Sequence, residues 1–399
     1  MIIFHIDVNS AFLSWSALKL LDEGYGQDIR EIPSIVGGER ETRHGIVLAK
    51  SVPAKKYGIH TAETVASAFK KCPNLVMVPP DHTYYREKSH ALMEHLSSIC
   101  PVIEQVSVDE CYMDFEPIRD RFPDPSAAAY YIKDSVREKF GFTVNVGISD
   151  RKVLAKMASD FQKPDKVHTL YASEIRGKMW PLPVGELFMC GRSTAERFTH
   201  LGIRTIGDLA QMDPSYIEKT FKKHGMMLWR FANGIDESTV NPIPEQVKGV
   251  GNSTTLSRDV LKREDAFPVL SKLAESVSGR LQKKGFLAVV ICVEIKYSDF
   301  RSVSHQQQLA VPTNRAEDIY QASRRLFDEL WNGEPVRLLG IRANKIAGAD
   351  EPRQTTLFEY EAQIKQDKKQ KEQEEKRKKL DDMVSSIRRK FGDQAVRKG

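Results

Sequence analysis

The chain has 399 residues, about two to three times the usual domain length, so several folded units are expected. Hydrophobic residues make up 41% and charged residues 29%, which excludes a collagen-like, wholly disordered or membrane-embedded chain. Sixty Lys and Arg against 54 Asp and Glu leave a net charge of +6, which permits a polyanionic partner without demanding one.

Ile2, Phe4, Ile6 and Val8 alternate with Ile3, His5, Asp7 and Asn9, and this period of two predicts a strand that ends near Asp7. Phe12, Leu13, Ala17, Leu18 and Leu21 follow helical spacing, and Gly24 and Gly26 stop that helix. Residues 27–80 read as a small, partly irregular unit. A helix over about 83–99 leads through Pro101 to two strands meeting at a turn around Asp109 and Glu110. A helix over about 126–139, a strand over 142–149 and a helix over 151–161 follow. This order predicts an α+β layer with its helices on one face of a mainly antiparallel sheet.

Pro181 and Pro183 open a helical stretch punctuated by Gly191, Gly202, Gly207, Gly225 and Gly234, and the Pro-containing segment 240–247 reads as a linker. Beyond it a helix (266–284), two strands (287–297 and 301–311), a helix (316–331) and a strand (335–345) predict a second α+β unit. Residues 365–379 are almost wholly charged or amide side chains, the pattern of a solvated helix or tail.

Five cysteines, Cys72, Cys100, Cys111, Cys190 and Cys292, stand far apart with no CxxC, so neither a zinc site nor a disulfide framework is expected. The first residues lack a basic region ahead of an apolar stretch, and no apolar run approaches the ~18 residues of a membrane span. A cytoplasmic protein with no membrane partner is expected.

Asp7 at a strand end and Asp109-Glu110 at a hairpin tip can converge, since paired strands lie only ~5 Å apart. Three carboxylates in one place repel unless cations neutralise them, and a pair of Mg²⁺ ions would suit an all-oxygen donor set and in-line phosphoryl displacement. An acidic turn alone carries no such meaning, because Asp and Glu commonly cap turns.

Three ordered segments add to this. Asp7-Val-Asn-Ser-Ala-Phe12, Ser107-Val-Asp-Glu110 followed by Cys-Tyr-Met-Asp-Phe, and Gly147-Ile-Ser-Asp-Arg-Lys-Val-Leu-Ala-Lys-Met-Ala-Ser-Asp-Phe-Gln-Lys-Pro164 resemble the signatures of Y-family translesion DNA polymerases. The resemblance implies a multi-domain α+β right hand: a ferredoxin-like palm (1–22 and 80–168), small fingers (23–79), a helix-hairpin-helix thumb (169–239), a linker (240–247), an α+β little finger (248–346) and a tail (347–399). It implies that Asp7, Asp109 and Glu110, with the Val8 carbonyl, hold two Mg²⁺ ions, with Mn²⁺ as a substitute. Primer-template DNA and a deoxynucleoside triphosphate would be the substrates. Asn9, Ser10 and Ala11 would line the nucleotide site, Phe12 would bar a ribose 2′ hydroxyl, and Lys163 would bind the triphosphate as a point charge. Lys152 and Lys156, on the same helix, read equally as phosphate contacts or as solvated residues.

The fingers segment Val47-Leu-Ala-Lys-Ser-Val-Pro-Ala-Lys-Lys-Tyr-Gly58 departs from the DNA polymerase IV branch at Ala49, Val52 and Lys55, and looks more like the bacterial DNA polymerase V catalytic subunit. Lys55 should still meet phosphate, with Lys50 and Ser51 as auxiliary contacts. In the thumb, Leu187-Phe-Met-Cys-Gly-Arg-Ser-Thr-Ala-Glu-Arg-Phe198 followed by Leu201-Gly-Ile-Arg-Thr-Ile-Gly-Asp-Leu209 resembles a helix-hairpin-helix that would place Gly191, Arg192, Ser193 and Thr194 against a DNA phosphate, although Met189 and Cys190 replace part of the usual Gly-x-Gly. Residues 248–345 hold 16 Lys and Arg against 11 Asp and Glu, and Arg258, Lys296 and Arg301 would contribute there to additive phosphate neutralisation. Gln354-Thr-Thr-Leu-Phe358 resembles the sliding-clamp-binding peptide, with Gln354, Leu357 and Phe358 as its contacts. Leu380, Met383, Val384, Ile387 and Phe391 form an apolar stripe suited either to a partner or to packing, and accessory SOS proteins are candidate partners. The alternatives are a non-catalytic DNA-binding homologue and, more distantly, a nucleotide cyclase.

Overall fold

A computed structural model of the chain describes residues 1–38, 45–244 and 246–348. It divides into two units, Met1–Glu245 and Gln246–Gly399.

The first unit is built on five strands, β1 (Ile3–Val8), β5 (Ile103–Gln105), β6 (Glu110–Asp114), β7 (Val144–Ser149) and β8 (Val167–Thr169), in the order β5-β6-β1-β7-β8. β1 lies at the centre, antiparallel to both β6 and β7, while β7 and β8 run parallel. On one face Phe4, Ile6 and Val8 pack with α1 (Ala11–Asp22), α4 (His82–Ile99) and α5 (Pro125–Phe140). Asp81 and Asp124 accept backbone N–H bonds at the starts of α4 and α5, as acidic N-caps should.

The helices do not all lie on that face. α6 (Lys152–Asp160) covers the opposite face, where Ile3 and Ala155 share a buried cluster. The close approach depends on Gly147: a Cβ there would meet the Ala155 carbonyl oxygen at 2.0 Å. The polar residues of β1 therefore face a helix, and both faces of the strand are buried.

Inserted between α1 and α4 is a small sheet of β2 (Ser34–Gly37), β3 (Val47–Lys50) and β4 (Val76–Val78) in the order β3-β2-β4, with α2 (Val52–Lys55) and α3 (Val65–Lys71) packed on it. After β8 the chain turns helical, as the Gly-punctuated stretch predicts. It forms α7 (Ile175–Lys178), α8 (Arg192–His200), α9 (Ile206–Ala210) and α10 (Pro214–Ala232), whose core includes Val153, Leu154 and Met157 of α6.

The second unit is a four-stranded antiparallel sheet of β9 (Val250–Val260), β10 (Phe286–Tyr297), β11 (Ser302–Thr313) and β12 (Val336–Gly348), ordered β11-β10-β12-β9. Helices α11 (Arg263–Lys283) and α12 (Ala316–Leu330) bury one face of it. The other face is a polar cleft lined by residues such as Ser253, Glu294, Ser304, Gly340, Arg342 and Asn344. Among the described residues no helix is long and apolar enough to cross a membrane.

Candidate active site

Three carboxylates meet where β1 and β6 end together. Strand register sets Asp7 opposite Glu110, and the Val8 N–H donates to the Asp109 carbonyl at 3.0 Å, which holds the turn against the strand. Ser107 shapes that turn, its Oγ accepting from the N–H groups of Asp109 (3.3 Å) and Glu110 (3.2 Å) and donating to Asp109 Oδ1 (2.6 Å). Glu110 is thus the first residue of β6, and the hairpin tip spans the residues before it.

Two lysines supply cations. Lys163 pairs with Asp7 and lies 2.8 Å from Asp160, and Lys156 lies 2.8 Å from Glu110 Oε2 and 3.6 Å from Asp160. The hydrogen bond from His5 and the nearby Lys156 ammonium hold the Glu110 carboxyl at about 2, against its burial. Burial pushes the Asp109 carboxyl above its ordinary value, reinforced by the charges on Asp7 and Glu110.

Among the described residues no three His, Cys, Asp or Glu side chains already surround one point as a metal cage. The reason is visible in the contacts: Asp7 and Glu110 are turned to lysines and Asp109 to Ser107. The donor set nevertheless fits a hard divalent cation, since it is all oxygen and anionic.

On the side of α1, Ser10 takes a left-handed φ of 49° that turns the chain from β1 into the helix; it is exposed, and Ala11 is buried. Phe12 stacks on Tyr85 with centroids 4.6 Å apart and planes at 12°, and the Tyr85 hydroxyl shares a 2.6 Å hydrogen bond with Ser16. Asn9 has a different task from the nucleotide contact expected. Its buried amide donates to Asn145 Oδ1 (3.1 Å) and accepts from Thr143 Oγ1 and the Asp165 N–H (both 2.9 Å), tying β1 to β7 and to the loop beyond α6.

Ser51 is likewise spent inside the fold. It is 1% exposed, caps α2 through the Ala54 N–H (3.1 Å), accepts from the Ser34 N–H (3.1 Å) and donates to the Ile32 carbonyl (2.7 Å). Lys55 is exposed, and Lys50 donates to Thr61 Oγ1 at 3.3 Å. Partial burial and the adjacent Lys55 charge lower the Lys50 ammonium below its ordinary value, an electropositive pairing suited to an anion.

The solvated reading of Lys152 and Lys156 does not hold. Lys152 is bound to both Glu104 oxygens at 2.7 Å over the Tyr112 ring, and Lys156 faces the carboxylates. His5, Ser159 and Tyr85 were not singled out from the sequence. The available signal was periodicity: His5 lies two residues before Asp7 on the same strand face, and Ser159 three after Lys156 on the same helix face.

Gly191 is the N-cap of α8, with Arg192, Ser193 and Thr194 in its first turn, and Arg192 pairs with Glu196 at 2.8 Å. Met189 carries a left-handed φ of 68°, a conformation that glycine would take without strain. In the second unit Arg258 lies within β9, which runs on to Val260. Lys296 shares the polar face with Glu294, while Arg301 is paired with Glu334 and lies 3.6 Å from Asp299, so its charge is already met. Gln354, Leu357, Phe358 and the 380–391 stripe lie outside the described residues.

Residues 6–160 match the impB/mucB/samB family, residues 189–236 the DNA polymerase-iota thumb domain, and residues 247–357 the impB/mucB/samB family C-terminal domain. The chain is 42% identical over 395 residues to the DNA polymerase IV of Clostridium acetobutylicum, covering 99% of this chain and 96% of that one. It is 35% identical to DNA polymerase IV 1 of Bacillus subtilis, covering 100% and 92%. A solved Y-family DNA polymerase chimera superposes with a TM-score of 0.73 at 22% identity, covering 86% of this chain and 98% of that one. The likeness of the fingers segment to the DNA polymerase V branch is therefore local, since relatives over the full length carry the DNA polymerase IV name.

Proposed function

The chain belongs to the Y-family DNA polymerases, with relatives named DNA polymerase IV, and from that membership we propose that Asp7, Asp109 and Glu110 direct deoxynucleotide insertion opposite damaged templates. The single observation that carries this assignment is the convergence of the three carboxylates at the end of β1, one turn of chain from Phe12.

Two Mg²⁺ ions, or Mn²⁺ in their place, held by the three carboxylates and the Val8 carbonyl would lower the pKa of the primer 3′ hydroxyl and neutralise the triphosphate. The primer oxygen bonds to the α-phosphorus as the bond to pyrophosphate breaks, so the protein's task is to position and to balance charge. Lys163, poised between Asp7 and Asp160, exchanges a carboxylate for a phosphate oxygen, and Lys50 and Lys55 meet the triphosphate from the fingers. Ser10 and Ala11 border the sugar, and the Phe12 ring occupies the space a 2′ hydroxyl would need.

The domains follow the palm, fingers, thumb and little-finger boundaries given above. Gly191 to Thr194, with Arg258 and Lys296, contact DNA phosphates irrespective of sequence. Low fidelity and the lack of proofreading belong to the same reading. Gln354, Leu357 and Phe358 engage the sliding clamp, and Leu357→Ala should abolish clamp stimulation of extension while basal synthesis persists. An accessory SOS partner and a cytoplasmic location complete the proposal.

Primer extension on undamaged and lesion-bearing templates tests it. Asp109→Asn and Glu110→Gln should each lower extension by at least ~100-fold while retaining DNA binding. Near-normal extension by both variants would overturn the assignment. Full-length similarity to DNA polymerases supports neither a cyclase nor a non-catalytic scaffold.

A further inference from the structure

Behind Glu110 lies a buried chain of polar contacts that the proposed chemistry leaves unused. His5 is 1% exposed and Ser159 is 0% exposed. His5 Nε2 is 3.3 Å from Glu110 Oε2, and His5 Nδ1 is 2.8 Å from Ser159 Oγ. Lys156 reaches the same Oε2 at 2.8 Å, so both contacts fix the carboxylate through one oxygen.

The two imidazole nitrogens cannot be assigned independently. A carboxylate oxygen only accepts, so the contact to Glu110 is attractive only when Nε2 carries hydrogen. In a neutral ring Nδ1 is then an acceptor and needs a donor. Ser159 has one hydroxyl hydrogen and two acceptors in reach, Nδ1 and the Lys156 carbonyl, each at 2.8 Å. Giving it to Nδ1 satisfies the ring and leaves Nε2–H aimed at Glu110.

The surrounding backbone is built to hold this line. Gly147 pairs with His5 across β1 and β7, and its missing Cβ lets the Ser159 N–H approach; a Cβ there would lie 2.5 Å from that nitrogen. Asn145 donates to the Ser159 carbonyl at 2.9 Å and fixes the last turn of α6.

We propose that His5 is a positioning residue that holds Glu110 through Nε2–H, and that Ser159 selects the tautomer able to do so. This rests on the reading of Glu110 as a metal ligand. Groups that orient a ligating carboxylate typically contribute ~10 to 100-fold to metal affinity.

The test uses the full chain bound to primer-template DNA ending in a dideoxynucleotide, with the matching deoxynucleoside triphosphate, titrated with Mn²⁺ and read by electron paramagnetic resonance. His5→Phe, which keeps the ring shape without a donor, should weaken Mn²⁺ binding ~10 to 100-fold. His5→Gln, which restores an N–H, should recover most of that loss. In ¹⁵N-histidine spectra of the wild-type protein the His5 ring should be the Nε2–H tautomer, and Ser159→Ala should shift it toward Nδ1–H and weaken Mn²⁺ binding several-fold. If His5→Phe does not fold, the wild-type tautomer and Ser159→Ala decide. An Nδ1–H ring in the wild type, or unchanged tautomer and affinity in Ser159→Ala, overturns the proposal. Weakened binding in Glu110→Gln with normal binding in His5→Phe sinks the positioning role alone, whereas unchanged binding in Glu110→Gln sinks the metal-ligand reading beneath it.

Discussion

Lys156 Nζ lies 2.8 Å from Glu110 Oε2, so an ammonium on α6 serves a carboxylate on β6. Although burial lowers the Lys156 pKa, Asp7, Glu110 and Asp160 together raise it, while Glu110 is held at about 2. A carboxyl depressed in the folded state stabilises above its unfolded value, near 4.5, and loses that contribution as pH falls toward 2. Lys156→Gln should therefore cost ~1 to 2 kcal/mol near pH 7, most of the difference from wild type disappearing as pH falls to about 2. Urea unfolding in metal-free buffer across that range checks it; a difference independent of pH would separate the lysine's effect from Glu110.

Phe12 is held from behind by the stacked Tyr85 ring, which Ser16 anchors in turn. A ring fixed this way can exclude a hydroxyl by shape. Phe12→Ala should raise ribonucleotide insertion relative to deoxynucleotide insertion ~10 to 100-fold, the scale on which a pocket discriminates one added group. The ratio of kcat/KM values in single-nucleotide extension measures this, and an unchanged ratio removes the gate.

Ser51 and Lys55 are four residues apart in the fingers and should answer differently to mutation. Ser51→Ala removes a helix cap and two further hydrogen bonds, so it should lower stability by ~1 to 2 kcal/mol with KM for the nucleotide unchanged. Lys55→Ala should raise that KM with stability unchanged, because the side chain is exposed. Melting curves and steady-state kinetics on both variants check the division; a raised KM in Ser51→Ala alone would reverse it.

The strand-helix order and the second α+β unit were legible because each rests on short-range periodicity, whereas strand ends only allowed Asp7 to meet Asp109 and Glu110, and the three ordered segments resembling a known family made that meeting the expectation. What hid was the pairing of two polar faces. Lys152, Lys156 and Ser159 read as the wet side of an amphipathic helix, and His5 and Asp7 as the wet side of a half-buried strand. The fold presses them together, so each supplies the polar surroundings the sequence leads one to expect from water. Ser51 and Asn9 hid for another reason: a hydroxyl or amide near phosphate-binding residues looks the same from sequence whether it meets a ligand or the backbone. Arg301 needed its partner Glu334, 33 residues away, to be read correctly.

The contact between those two polar faces depends on one missing atom, which gives the last prediction. A Cβ on Gly147 would lie 2.0 Å from the Ala155 oxygen and 2.5 Å from the Ser159 nitrogen, and both are backbone atoms that no rotamer change can move. Gly147→Ala must therefore push α6 off β7. That displacement lengthens the Ser159 contact to His5 and the Lys156 contact to Glu110 together, and it opens the cores on both sides of the helix. The expected cost is ~3 kcal/mol or more, the range of forced overpacking, with a fall in Tm of several degrees and loss of primer extension. Gly177→Ala in α7 is the control, since nothing lies within 4 Å of its Cβ position, and it should leave Tm equal or slightly higher. Equal melting and equal extension in both variants would mean that α6 can shift at no cost, and the close seating of the helix would then not be what assembles the site.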